Sequence, residues 1–150
     1  MNGNLEYFAG LMDGEAHIAL LRCCRRDRGG LITYAPRIIV SMLDKPTNVS
    51  VLQSLKDLFG GSLYTRKPWE YRDRVRISHR QQMAWEVRYT KAFEALKVLQ
   101  PFLRIKKRHA DLILSCKFRS HFRVTEQELQ QRELVYLEIR TLNDGRKRNI

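Results

Sequence analysis

The chain has 150 residues, which is enough for one domain with a single hydrophobic core. Lysine and arginine number 28 against 16 acidic residues, and the resulting net charge of +12 favours polyanionic partners. The basic residues are spread along most of the chain, which argues against a disordered basic tail. No apolar run approaches membrane-spanning length, no signal-peptide pattern begins the chain, and the three cysteines lack zinc-site spacing. We therefore expect an intracellular protein with reduced thiols and no membrane partner.

The chain opens with a helical pattern at residues 5–12, where apolar residues recur at i, i+3 and i+4. The period then changes to that of a strand at Ala16. Residues 27–30, Asp-Arg-Gly-Gly, predict a turn into a returning strand at Leu31 to Leu43. The even positions of this second strand are apolar and its odd positions are partly polar. Pro36 favours an edge or a bend, because proline donates no ladder hydrogen bond.

The second half of the chain gives further elements of both kinds. A helix begins near Pro46 and ends at Gly60-Gly61. The remaining predictions are strands at 62–66 and 83–89, an alternating arginine segment at 72–76, helices at 90–102, 106–118 and 126–142, and a flexible tail at 144–150. Two hairpins with several helices predict an α+β fold, in which helices cover one face of an antiparallel sheet.

Two carboxylates, Asp13 and Glu15, stand at the end of the first helix, where the helix dipole disfavours anions. A local rule broken in this way indicates a functional site. Residues 8–16, Phe-Ala-Gly-Leu-Met-Asp-Gly-Glu-Ala, resemble the nine-residue signature of the LAGLIDADG homing endonucleases. The literal matches are Ala9-Gly10-Leu11 and Asp13. Glu15 keeps the last acid of the signature with one extra methylene, and Ala16 replaces a glycine.

The resemblance covers most of the chain and implies both a fold and an activity. Residues 99–110 are similar to the family segment that carries an active-site lysine, and the elements fall in family order. The implied fold is αββαββα, with a saddle-shaped sheet, as one domain over residues 1–150. The signature occurs once, and single-motif members generally act as homodimers. The implied function is a site-specific DNA endonuclease that makes metal-dependent double-strand breaks in a long, roughly palindromic site.

The resemblance also assigns catalytic positions. Glu15 takes the place of the metal-binding acid, with Mg²⁺ as the expected ion and Mn²⁺ or Ca²⁺ able to occupy the same site, because hard cations prefer oxygen ligands. Lys106 takes the place of the active-site lysine, where a cation can polarise water or offset phosphate charge. Asp44 stands where glutamine is familiar, and it either joins the catalytic site or starts the following helix. Asp13 is expected to organise a cap or turn.

The sheet is expected to bind double-stranded DNA, because the major groove admits a β-ribbon and arginine can bridge guanine O6 and N7. The predicted DNA-binding residues are Arg25, Thr33, Arg37, Ser41, Lys45, Arg66, Lys67, Arg72, Arg74 and Arg76. Any one of them suits a phosphate as well as a base. The resemblance also implies that two first helices pack at a two-fold axis. The predicted interface residues are Phe8, Ala9, Gly10, Met12 and Asp13.

Two other functions remain open on the same fold. An intron-RNA maturase would use the fold to assist splicing, and intron RNA would then be a partner. A DNA-binding regulator without catalytic activity could tolerate loss of the signature acid. The chain keeps both Glu15 and Lys106, which favours the nuclease.

Overall fold

A computed structural model of the chain describes residues 2–66, 80–118 and 124–144. In chain order the helices and strands are α1 (Asn2–Glu15), β1 (Ala16–Arg25), β2 (Leu31–Leu43), α2 (Pro46–Phe59), β3 (Ser62–Arg66), β4 (Gln82–Arg88), α3 (Tyr89–Leu99), α4 (Lys107–Ser115) and α5 (Glu126–Asp144). The predictions for Lys67, Arg72, Arg74 and Arg76 lie outside the described residues, as does the predicted tail beyond Asp144. None of the described helices is long and apolar enough to cross a membrane.

The four strands form one antiparallel sheet in the order β1-β2-β4-β3. Its register aligns Ala16, Val40, Trp85 and Leu63 in one row across all four strands. The pairing of β2 with β4 begins at Arg37, so the preceding proline lies where β2 pairs with β1 alone. A proline is tolerated there, because no ladder hydrogen bond to β4 depends on its missing N–H.

The helices cover one face of the sheet and enclose the hydrophobic core. Side chains on the same face as the Ala16–Leu63 row, such as Ile18, Ile38 and Trp85, are completely buried there. The indole Nε1 of Trp85 donates to the carbonyl of Gly60 at 2.7 Å, which joins β4 to the end of α2. Truncation of such a buried indole to alanine costs roughly 3–5 kcal/mol.

A glycine is required where α2 turns into β3. Gly60 and Gly61 both have positive φ, 74° and 90°. A Cβ on Gly61 would lie 2.4 Å from the backbone carbonyl oxygen of Glu86, which no side chain can accommodate. The close approach lets β3 pair with β4 from its first residue, Ser62.

Two predicted helices end earlier than their apolar patterns indicate. The helix predicted at 90–102 is α3 followed by a 3-10 turn at Gln100–Phe102, because Pro101 cannot continue the helical hydrogen bonding. The helix predicted at 106–118 ends at Ser115, since Cys116 has an extended backbone conformation. Because α3 and its 3-10 turn end by Phe102 and α4 begins at Lys107, Arg104 to Lys106 form a short irregular turn between α3 and α4.

Candidate active site and nucleic-acid interface

The end of α1 is joined to the turn before α4 by one carboxylate. Asp13 Oδ2 accepts the backbone N–H of Arg104 at 2.9 Å, and Oδ1 accepts that of Lys106 at 2.8 Å. Hydrogen bonds to a charged group each contribute roughly 1.5–3 kcal/mol, whereas an anion near a helix C-terminus costs roughly 0.3–1 kcal/mol. The hydrogen bonds therefore outweigh the dipole. Asp13 organises a turn, as predicted, and we call this pair of contacts the Asp13 joint.

The Asp13 joint brings Lys106 to the start of β1, beside the end of α1 that carries Glu15. Glu15 is the last residue of α1 and is exposed, and Lys106 is partly exposed. Burial lowers the pKa of His17, and the positive charges of Arg37 and Lys106 lower it further. Both cations therefore act electrostatically on a residue two positions after Glu15. Residues far apart in sequence thus lie near the start of β1, directly after the exposed Glu15.

The Glu15 carboxylate fits a divalent cation when a substrate phosphate and a second chain supply further oxygen ligands. Within the described ranges, no three His, Cys, Asp or Glu side chains lie close enough together to hold a metal ion. A cation such as Mg²⁺ keeps several waters and takes one or two carboxylates plus substrate phosphate oxygens. An exposed carboxylate at a helix end, open to a phosphate and to a second chain, is compatible with that requirement.

Asp44 has a structural contact of its own. Gln81 Nε2 donates to Asp44 Oδ2 at 2.6 Å, and the Asp44 N–H donates to the Gln81 carbonyl at 3.0 Å. These bonds tie the end of β2 to the residue that precedes β4. Asp44 lies four residues beyond Val40, whose cross-strand partner is Ala16, so strand spacing separates it from that row by about 13 Å. Its catalytic role stays a prediction.

The sheet face away from the helices carries alternate strand residues from all four strands, and we call it the open face. It consists of His17, Ala19, Leu21, Cys23 and Arg25 of β1, Leu31, Thr33, Ala35, Arg37, Ile39, Ser41 and Leu43 of β2, Ser62, Tyr64 and Arg66 of β3, and Gln82, Ala84, Glu86 and Arg88 of β4. Five predicted DNA-binding residues therefore share one surface. Lys45 is not part of the open face and lies at the start of α2. Arg66 Nη1 donates to Ser41 Oγ at 3.0 Å within this face.

A carboxylate network on the open face was not predicted from the sequence. Tyr64 Oη donates to Glu86 Oε2 at 2.9 Å, Arg88 Nε pairs with Glu86 Oε1, and Arg37 Nε lies 2.9 Å from the same oxygen. Arg37 Nε has no aligned hydrogen-bond acceptor in the described part of the chain, so this third contact is an ion pair by distance only. The alternation of residues 82–88 is the sequence signal that could have placed Glu86 and Arg88 here.

The predicted dimer interface needs correction at three positions. Phe8, Ala9 and Met12 are 8%, 0% and 1% exposed, because this side of α1 packs into the core of its own chain. The Phe8 ring, for example, lies edge-on to the Phe59 ring, with 6.5 Å between the ring centroids. The prediction of an intermolecular role is therefore wrong for these three side chains.

The exposed side of α1 carries small residues at a different spacing. Gly10 and Gly14 are exposed, and a Cβ on either would meet nothing within 4 Å. Tyr7, one turn before Gly10, is 56% exposed. The helix thus presents Tyr7, Gly10 and Gly14 outward, with Asp13 partly exposed beside them.

Comparison with known proteins gives a match in fold. No protein-family model and no curated protein sequence matches the chain. The homing endonuclease I-CvuI in complex with its target has a TM-score of 0.68 and 19% identity, over 99% of this chain and 87% of that chain. The archaeal intron-encoded homing endonuclease I-Vdi141I, complexed with DNA, has a TM-score of 0.61 and 17% identity, over 99% of this chain and 89% of that chain.

A longer protein has the same fold. The LAGLIDADG homing endonuclease I-GzeII, in complex with a DNA target, has a TM-score of 0.60 and 16% identity. The match covers 89% of this chain but 43% of that chain, so this chain spans about half of the longer protein. Together these matches confirm the predicted α+β fold with an open antiparallel sheet and helices on one face.

Proposed function

We propose that this chain, which has the fold of the LAGLIDADG homing endonucleases, is a metal-dependent DNA endonuclease that acts as a homodimer. The observation that carries the proposal is the Asp13 joint. It brings Lys106 to the end of α1, where Glu15 is exposed. An acid and a cation near the same helix end, next to a basic open face, are suited to phosphodiester hydrolysis. The net charge of +12 supports a polyanionic substrate.

Each residue of this centre has a separate role in the proposal. Glu15 would hold the divalent cation, which neutralises phosphate charge and activates water when it is bound. The Lys106 ammonium offsets the negative charge that develops on the scissile phosphate. Asp13 fixes the backbone of Lys106 and so sets where that side chain begins. The open-face arginines hold the duplex through phosphates and base edges.

The exposed side of α1 supports the homodimer. A second helix can approach closely where Gly10 and Gly14 leave open space, and Tyr7 gives apolar contact area beside them. Contact of two such helices about a two-fold axis would bring the Glu15 residues of both chains together. The same symmetry accounts for a roughly palindromic DNA site, since two identical subunits contact equivalent half-sites.

The experiment that tests the proposal is a cleavage selection on randomised double-stranded DNA, with Mg²⁺ or with a chelator. We expect one family of palindrome-like sites to be cut on both strands in Mg²⁺ only. Sequence-specific binding without cleavage would identify a regulator and overturn the nuclease assignment. Selective binding of structured RNA with no preferred DNA site would identify a maturase instead.

A further inference from the structure

Two arginines lie directly opposite each other on neighbouring strands of the open face. Neither charge is therefore neutralised by an acidic residue at the paired position. Arg37 of β2 and Arg88 of β4 are paired in register, so their side chains leave the sheet side by side. Like charges directly opposite each other in a sheet are destabilising. Glu86 lies two residues before Arg88 on the same face, and its carboxylate forms ion pairs with both arginines. One acid thus holds the two cations together.

The Glu86 side chain is largely covered, whereas the side chains of both arginines are more exposed. The Glu86 side chain is 10% exposed, against 25% for Arg37 and 46% for Arg88. Burial raises the pKa of Glu86, but hydrogen bonds from Arg88 and Tyr64 and the charge of Arg37 outweigh it and lower the pKa overall. Glu86 is therefore ionised at neutral pH, behind two guanidinium groups that can still contact a ligand.

The arrangement adjoins a half-open cleft in the protein surface. Its volume is about 390 Å³, and its lining includes Ser62, Tyr64, Glu86, Arg88 and Lys91. An acid on a surface that attracts phosphates weakens the general attraction for DNA. Glu86 must therefore contribute something other than electrostatic attraction. A guanidinium group fixed by a carboxylate loses less side-chain freedom when it forms a bidentate contact.

We infer that Glu86 is a positioning residue for base recognition, which holds Arg37 and Arg88 ready to bind guanine O6 and N7 in the major groove. The inference rests on the proposed function, because it requires DNA on the open face. It gives Glu86, Arg88 and the cleft beside them a part in choosing the DNA sequence. Bidentate contacts to guanine are the chemistry that two adjacent, oriented guanidinium groups provide.

A binding selection tests the inference without depending on cleavage. Randomised duplex DNA is selected in Ca²⁺ by the full chain, by Glu86→Gln and by the control Glu94→Gln, which neutralises an exposed acid on α3. For Glu86→Gln we expect a loss of guanine preference of about tenfold or more at one or two adjacent base pairs per half-site. Preferences elsewhere, and affinity for unrelated DNA, should not fall. Glu94→Gln should keep the profile of the unmodified chain.

A second variant keeps the test decisive if Glu86→Gln fails to fold. Arg88→Lys retains the charge at an exposed position and loses the planar fork, so it should lose guanine preference at the same base pair. Unchanged profiles in both variants, or equal weakening at every position, would overturn the inference. Binding by the unmodified chain without sequence preference would overturn it as well. Specific binding without cleavage would instead overturn the nuclease proposal and leave this inference standing.

Discussion

The carboxylate of Asp13 accepts the backbone N–H of Lys106 at 2.8 Å, although 93 residues separate the two in sequence. The contact uses the main chain of Lys106 and leaves its ammonium group available. Asp13 therefore fixes the backbone of Lys106 near the end of α1 without pairing with its ammonium group. The predictions that follow separate the positioning role of Asp13 from the chemical roles of Glu15 and Lys106.

Replacement of Asp13 by asparagine should lower both stability and cleavage rate. An amide offers one acceptor oxygen and no charge, so at least one of the two backbone N–H groups loses its partner. We expect the free energy of unfolding to fall by about 2 kcal/mol in urea denaturation. Single-turnover cleavage should slow as well, because Lys106 is then less firmly held.

The matched control is Asp57→Asn, at an exposed position of α2. It should change the free energy of unfolding by less than about 0.5 kcal/mol. Equal stability of the Asp13→Asn variant and the unmodified chain would show that the Asp13 joint does not hold the two segments together.

Replacement of Lys106 by methionine should slow cleavage by about a hundredfold or more, as expected when one group that stabilises the charge of the transition state is lost. DNA affinity should change little, because the Asp13 joint needs only the backbone N–H that methionine retains. Single-turnover rates and equilibrium binding in Ca²⁺ separate the two effects. A large loss of affinity with an unchanged rate would make Lys106 a phosphate anchor.

Replacement of Gly10 by leucine should convert the proposed dimer to a folded monomer. Within one chain a Cβ at this position meets nothing within 4 Å, and leucine favours a helix over glycine by up to about 1 kcal/mol. Protomer stability should therefore not fall, whereas sedimentation velocity should show loss of the dimer. Gln127→Leu, at an exposed position of α5, is the control for added apolar surface. A dimer that persists in Gly10→Leu would contradict the proposed interface.

Stability should decrease as the pH falls below the ordinary pKa of histidine, in part because of His109. Burial lowers the pKa of His109, and the charges of Lys106 and His17 lower it further against the raising effect of Asn143. The unfolded chain binds this proton more readily than the folded chain, so the stabilisation is complete above about pH 6.5 and is lost at lower pH.

The variant His109→Gln should show a smaller fall in melting temperature between about pH 7.5 and pH 5.5. Some dependence should remain, because the pKa of His17 is lowered too. An identical decrease in the variant and the unmodified chain would exclude a contribution from His109.

Much of the fold could be predicted because strand alternation and helix stops are local properties. The second predicted strand, Leu31 to Leu43, has the same bounds as β2, and the predicted strand at 62–66 is β3. The prediction that Asp13 organises a turn is likewise confirmed. A carboxylate at a helix C-terminus needs nearby donors, and this need is visible in the sequence even though the donors are not.

Two features could not be predicted from local patterns. Most faces of α1 carry small or apolar residues of its own sequence. Periodicity alone therefore does not decide that Ala9 faces the core and Gly10 faces outward. The Glu86 network depends on β4 lying between β2 and β3, which sets Arg37 beside Arg88. That pairing is a property of the whole sheet. The alternation within β4 identifies which residues share a face, but not which arginine they meet.

The most direct test of the central claim compares the unmodified chain with Glu15→Gln on the selected DNA site in Mg²⁺. The substitution keeps the side-chain length and removes the charge that a divalent cation requires. We expect the unmodified chain to cut both strands, and Glu15→Gln to bind with an affinity within about threefold, a factor worth well under 1 kcal/mol, but not to cut. Cleavage by Glu15→Gln at the rate of the unmodified chain would contradict the assignment of Glu15 as the metal-binding acid.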